Sequence, residues 1–109
     1  MTMLPVVPRE LARADVEQAI EHYLAQAGRD VAFAFIDALE ASYAAIAANP
    51  AAATPRWGLE LHLPGLRSYR LGTFPYLVFF VEREGCIDVW RVLHARQDIP
   101  SWLQDEDAG

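Results

Sequence analysis

Two helical patterns separated by a single glycine constrain this chain more than any other feature of it. From about Arg9 to Ala27, residues Ala12, Val16, Ala19, Ile20, Tyr23 and Ala27 recur at three- and four-residue spacing. That is the period of one helix face, and Arg13, Glu17 and Glu21 fall on other faces. Gly28 follows as a helix stop, able to take the left-handed conformation common just beyond a C-terminus. From about Arg29 to Ala48 the pattern resumes, with Ala32, Phe35, Ile36, Leu39, Tyr43 and Ile46 as its apolar stripe. Asn49-Pro50 ends it, because a residue before proline is driven out of the helical region. With so short a connection the two helices are expected to fold back as an antiparallel hairpin.

A hairpin of this kind needs something to cover its apolar stripes, and the second half of the chain reads as strands. Residues 49–58 are a loop by composition. Strand-like segments then cover about Leu66–Leu71, Tyr76–Glu82 and Ile87–His94, joined by two turns of hairpin length. The last segment alternates cleanly only at its start, so it is expected to be central and covered. A short strand near Met3–Val7 adds an edge, where Pro5 is tolerated. The fold class is therefore α+β: a helical hairpin packed on one face of a small, mostly antiparallel sheet, in the order β-α-α-β-β-β.

The 109 residues suffice for one domain with a modest core, and 53% are hydrophobic. Residues 1–104 are expected to form that domain, with 105–109 a flexible acidic tail. The single cysteine, Cys86, excludes an internal disulfide and a multi-cysteine zinc site. No metal or cofactor is expected. The N-terminus lacks the pattern of a signal peptide, and apolar runs such as 74–81 fall far short of a bilayer. A cytoplasmic protein without a membrane partner is the expectation.

Net charge is −6, from nine basic and fifteen acidic residues, and every basic residue is arginine. That excess opposes non-specific binding to nucleic acid. The distribution is uneven: residues 1–48 hold three arginines against seven acids, whereas residues 49–104 hold six against five. A local cationic face survives in the second half, but a strong electrostatic funnel does not.

Three local runs, in this element order, carry a family resemblance. The stretch from Pro8 to Val16, with Ala12 three positions before Asp15-Val16, resembles the first-helix opening of RelE/ParE superfamily toxins. Leu63-Pro64-Gly65-Leu66-Arg67 followed by Tyr76-Leu77-Val78-Phe79-Phe80 resembles that superfamily's middle strands. Arg91-Val92-Leu93-His94-Ala95-Arg96-Gln97-Asp98 closely resembles the run with which its ParE-like sequences close their last strand. The resemblance spans about residues 4–100. It implies the toxin half of a type II toxin–antitoxin pair, with a cognate antitoxin as partner. The ParE-like branch implies binding and poisoning of DNA gyrase. The RelE-like alternative implies ribosome-dependent cleavage of mRNA. A relic that keeps only antitoxin binding is a third reading. Tyr76 stands where RelE-like nucleases carry a basic residue, and Tyr69 stands between arginines where they alternate basic groups. Both departures favour the ParE-like branch.

Candidate residues follow from that frame. For cleavage, Arg67, Arg70 and Arg96 would hold the scissile phosphate, with His94 as acid or base. For a binding toxin, Arg67, Arg70, Arg96 and Trp102 are the expected target contacts. His94 reads more readily as a strand-end histidine bonded to a backbone carbonyl, while His22 and His62 read as surface residues. Arg91, on a strand expected to be covered, needs a counter-charge, with Asp15 or Asp98 as its acid and Asp15 carried forward as the structural partner. Phe33 lies about 120° from the centre of the second helix's apolar stripe. With Arg29 and Asp37 it forms the expected antitoxin contact. Trp90 is expected beside the sheet, Cys86 as a small core or turn residue.

Overall fold

The structure, a computed structural model, describes residues 3–108, with side chains described through Leu103. Helices α1 (Glu10–Gln26) and α2 (Arg29–Ala48) form the expected hairpin. Gly28 has φ of 94°, and its N–H reaches back to the Tyr23 carbonyl at 2.9 Å. No atom lies where a Cβ would sit, so the backbone conformation alone selects glycine there. In α1 the buried residues are Ala12 and Ala19, seven apart, and their small size lets the helix lie close to the sheet. In α2, Ala32, Phe35, Leu39, Ser42, Ile46 and Ala47 are buried. The Ser42 hydroxyl is satisfied by donating to the Ala38 carbonyl at 2.8 Å. At 20 residues and mean hydropathy 1.5, α2 is long and apolar enough to cross a membrane by those two measures. It is not an uninterrupted apolar run, since Arg29, Asp30, Asp37 and Glu40 lie within it. The stripe instead packs on the sheet, as in a core helix.

The sheet has four strands in the order β1-β4-β3-β2: β1 (Val6–Pro8), β2 (Leu66–Arg70), β3 (Tyr76–Arg83) and β4 (Cys86–His94). The last three form an antiparallel meander, and β1 joins β4 in parallel, Val6 opposite Ile87. Strand β4 is thus central, as the loss of alternation beyond its start suggested. Its broken alternation has a local cause: the pairing with β3 shifts between Phe79 and Phe80, so that Trp90 is an extra residue, a β-bulge.

Both faces of the sheet are covered, where the sequence led to an expectation of one. Toward the hairpin lie Tyr76, Val78, Phe80, Ile87, Val89 and Val92, packed with Phe35, Leu39 and Ile46. Away from it lie Leu66, Phe79, Val81, Trp90 and Leu93, packed with Leu63, Ile99 and Leu103. Two unanticipated helices build that second layer: α3 (Arg56–Glu60) and α4 (Ile99–Ala108). The loop expected over 49–58 therefore holds a 3-10 turn at Pro50–Ala52 and the start of α3. The backbone of α4 runs on to Ala108, while the side chains beyond Leu103 and all of Gly109 lie outside the described residues. The character of the acidic tail expected over 105–109 lies outside them too.

Candidate functional site

The first candidate surface is the outer face of the hairpin. Arg29, Phe33 and Asp37 are spaced by four along α2 and lie on one stripe, all exposed. Phe33 is 57% exposed, and Leu24, at the same end of α1, is 50% exposed. The sequence singled out Phe33 but not Leu24, whose spacing placed it off the stripe with nothing to mark it. Acids outnumber bases along the hairpin: Glu10, Glu17, Glu21, Asp30, Asp37 and Glu40 are all exposed on its two helices, against Arg13 and Arg29.

The second candidate set does not come together. Arg67 and Arg70 lie three apart on β2 and so project from opposite faces. Arg67 is only half-exposed, and its Nη1 donates to the Ala53 carbonyl at 2.8 Å, tying β2 to the segment after α2. Arg70 and Arg96 are exposed near the same end of the sheet, with β3 between their strands. Trp102 is 42% exposed on α4 and lies under the Arg91 guanidinium, 4.7 Å from ring centre to Cζ.

Arg91 itself is 3% exposed. Its Nε and Nη2 donate to the Asp15 carboxylate at 2.8 and 2.7 Å, and Asp15 also accepts the Val92 backbone N–H at 3.0 Å. The pairing of β1 with β4 ends at Pro8, and the Arg9 N–H on the Val89 carbonyl is its last bond. Beyond that point a side chain of α1 takes over the strand edge. Asp15 therefore replaces a missing strand as well as a counter-charge.

A second carboxylate hub went unseen in the sequence. Asp88 accepts Arg9 Nε and Nη2, both at 3.0 Å, Arg83 Nε at 3.3 Å and Trp90 Nε1 at 3.2 Å. The Arg9 guanidinium also lies 4.6 Å from the Trp90 ring centre. Burial alone would raise the Asp88 pKa, but the hydrogen bond and charge of Arg9, then Trp90 and Arg83, outweigh it and hold it below the ordinary value. The only local signal was an aspartate inside an apolar strand.

His94 ends β4 with its ring edge-on to Tyr76, centroids 5.1 Å apart. Its Nδ1 accepts the Arg96 backbone N–H at 3.0 Å, so its proton sits on Nε2. Its own backbone N–H donates to Gln97 Oε1 at 2.6 Å. The expected bond to a backbone carbonyl is thus replaced by one to a backbone N–H, because the turn after β4 aims an amide rather than a carbonyl at the ring. His22 and His62 are exposed, Cys86 is half-buried, and Trp90 is 6% exposed against the sheet. Among the described residues, no group of three His, Cys, Asp or Glu side chains could hold a metal.

A family model described as the ParE toxin of the type II toxin–antitoxin system parDE matches residues 6–99. Among solved structures, the chromosomal ParDE toxin–antitoxin system from P. aeruginosa has a similar chain, with a TM-score of 0.70 and 21% identity. The alignment covers 84% of this chain and 96% of that one, and bears on the fold. No curated protein matches the sequence.

Proposed function

This chain belongs to the ParE toxin family of type II toxin–antitoxin systems, and on that premise we propose that it arrests growth in the cytoplasm by binding and poisoning DNA gyrase. A cognate antitoxin neutralises it through the hairpin surface around Phe33.

The observation that carries a binding mode over RNA cleavage is how the cleavage candidates are held. Cleavage by a 2′-hydroxyl needs a base to take its proton and cations converging on one phosphate. His94 has its one ring lone pair occupied by the Arg96 N–H, so as held it is a donor and not a base. Arg67 is turned to the Ala53 carbonyl and Arg91 to Asp15. Arg70 projects from the opposite face to Arg67. What remains exposed, Arg70, Arg96 and Trp102, suits contact with a protein surface, where arginine and tryptophan are the residues that most often dominate binding.

Unopposed expression should stop growth, and the purified protein should make gyrase accumulate cleaved plasmid DNA while cellular transcripts stay intact. Discrete cuts in mRNA in a translating extract, lost on Arg96→Ala, would refute the gyrase reading. Harmless expression with no effect on gyrase would mark the chain as a relic.

A further inference from the structure

At the end of the sheet where β4 stops, a cleft of about 250 Å³ opens between α1 and β4. Asp15, Gln18 and His22 line it from α1, and Tyr76, His94 and Gln97 from the sheet and the turn after it. This is several times the space one ordered water needs. Its lining includes none of Arg29, Phe33 and Asp37 and neither β2 arginine, although Arg70 ends β2 at the same end of the sheet.

The hydrogen bonds already made in its wall decide what the cleft can hold. His94 accepts on Nδ1, which leaves Nε2–H as its free group. Gln97 accepts on Oε1, which leaves its amide nitrogen free. Tyr76 is 9% exposed as a residue, and its hydroxyl makes no hydrogen bond to the described residues without being a sealed, unsatisfied atom. Burial, then the neighbouring Tyr23, raises its pKa, so the phenol stays a donor. The carboxamide of Gln18 and the ring of His22 likewise have no hydrogen-bond partner among the described residues, although the His22 ring meets Tyr23 edge-on. The one carboxylate in the wall, Asp15, is neutralised by Arg91 and by the Val92 N–H.

The free ends are thus mainly donors, and the site asks for a ligand rich in acceptors. A metal ion is unsuited, since it would need the nitrogen of His94 that carries the proton. The net charge of −6 opposes anions at long range, but that field is screened within about 8 Å at physiological ionic strength. Contact hydrogen bonds to an anion decide the outcome. We infer that this cleft binds a phosphate group, either free or as a small phosphomonoester, through His94, Tyr76 and Gln97 with His22 and Gln18 at its mouth.

The probes are inorganic phosphate and adenosine 5′-monophosphate, titrated into the isotopically labelled protein at constant ionic strength. Saturable chemical-shift changes should appear at the His94 and His22 rings and at the Gln18 and Gln97 side-chain amides. Tyr76→Phe keeps the ring and should weaken binding about tenfold, as befits one hydrogen bond to a charged group. His22→Ala, at an exposed helical position, should weaken it without threatening the fold, and serves if Tyr76→Phe does not fold. Equal affinity for both probes assigns the free ion; tighter binding of the nucleotide assigns the ester. Shifts that fail to saturate, that centre on Arg67, Arg70 and Arg96, or that survive both substitutions would overturn the inference. Gyrase poisoning does not depend on this cleft, so the two readings fail separately.

Discussion

At the scale of single residues, two aspartates hold this fold at opposite ends of β4, and they act differently. Asp15 and Arg91 have side chains 10% and 4% exposed, so each depends on the other for its charge. Breaking a buried pair leaves an uncompensated ion, which costs about 3–5 kcal/mol, whereas removing both partners costs much less. Arg91→Met should therefore be severely destabilising in chemical denaturation, and Asp15→Ala with Arg91→Met should recover part of the loss. Strictly additive losses would show that the pair is not coupled. Asp88 is a matter of pH. Its folded pKa lies below its unfolded value, so its contribution is complete above the unfolded pKa and is lost as pH falls through the folded one. Denaturation midpoints should fall on acidification below about pH 4. In Asp88→Asn that acid-dependent loss should shrink, from a lower starting stability. An unchanged acid profile would mean that Asp88 does not carry it. The need of Arg91 for an acid was legible because a covered arginine demands a partner, with Asp15 and Asp98 as its candidates. Asp88 was not, because its main partner, Arg9, is 79 residues away and reaches it only through the parallel register of β1 on β4.

At the scale of elements, what the sequence revealed and what it hid divide by how each element is stabilised. Both long helices and the three meander strands were readable because hydrophobic period and punctuation agree in them. Helices α3 and α4 were hidden because neither can form alone. Five residues do not overcome helix nucleation, and Pro100 and Gly58 read as breakers. Packing on the second sheet face holds them instead, with Ile99 and Leu103 3% and 0% exposed. Gly58 is the clearest case. It is buried, and a Cβ there would lie 2.5 Å from the Leu66 carbonyl oxygen and 2.9 Å from that of Leu63. Glycine is required by backbone approach, not by turn conformation. Gly58→Ala, which raises helix propensity, should nonetheless lower stability by about 1–3 kcal/mol, the usual cost of overpacking. Equal or higher stability on thermal unfolding would show that α3 can lift from β2 without cost.

At the scale of the whole molecule, the question is where a partner segment can attach. Sheet extension is poorly served at either edge. The outer side of β2 is already bridged, with Thr54 and Ser68 exchanging backbone hydrogen bonds at 3.2 and 3.0 Å. Strand β1 spans three residues, and Pro5 and Pro8 beside and within it carry no N–H. The hairpin exposes Phe33 and Leu24, and its two helices together expose six acids against two arginines. An antitoxin segment suited to it is an amphipathic helix with basic residues flanking its apolar stripe, because opposite potentials favour and steer association. Phe33→Ser should weaken the complex by about 2 kcal/mol, roughly 30-fold, if Phe33 is an anchor of that contact. Because Phe33 is exposed, the free protein should keep its stability to within about 0.5 kcal/mol. Reversing acids on the same face, by Asp37→Lys and Glu40→Lys, should slow association and flatten its salt dependence, leaving dissociation little changed. Calorimetry of the co-purified pair reads the first effect, and stopped-flow mixing at low and high salt reads the second. Undiminished affinity in Phe33→Ser would move the antitoxin off the hairpin, even though the sheet edges offer it little elsewhere.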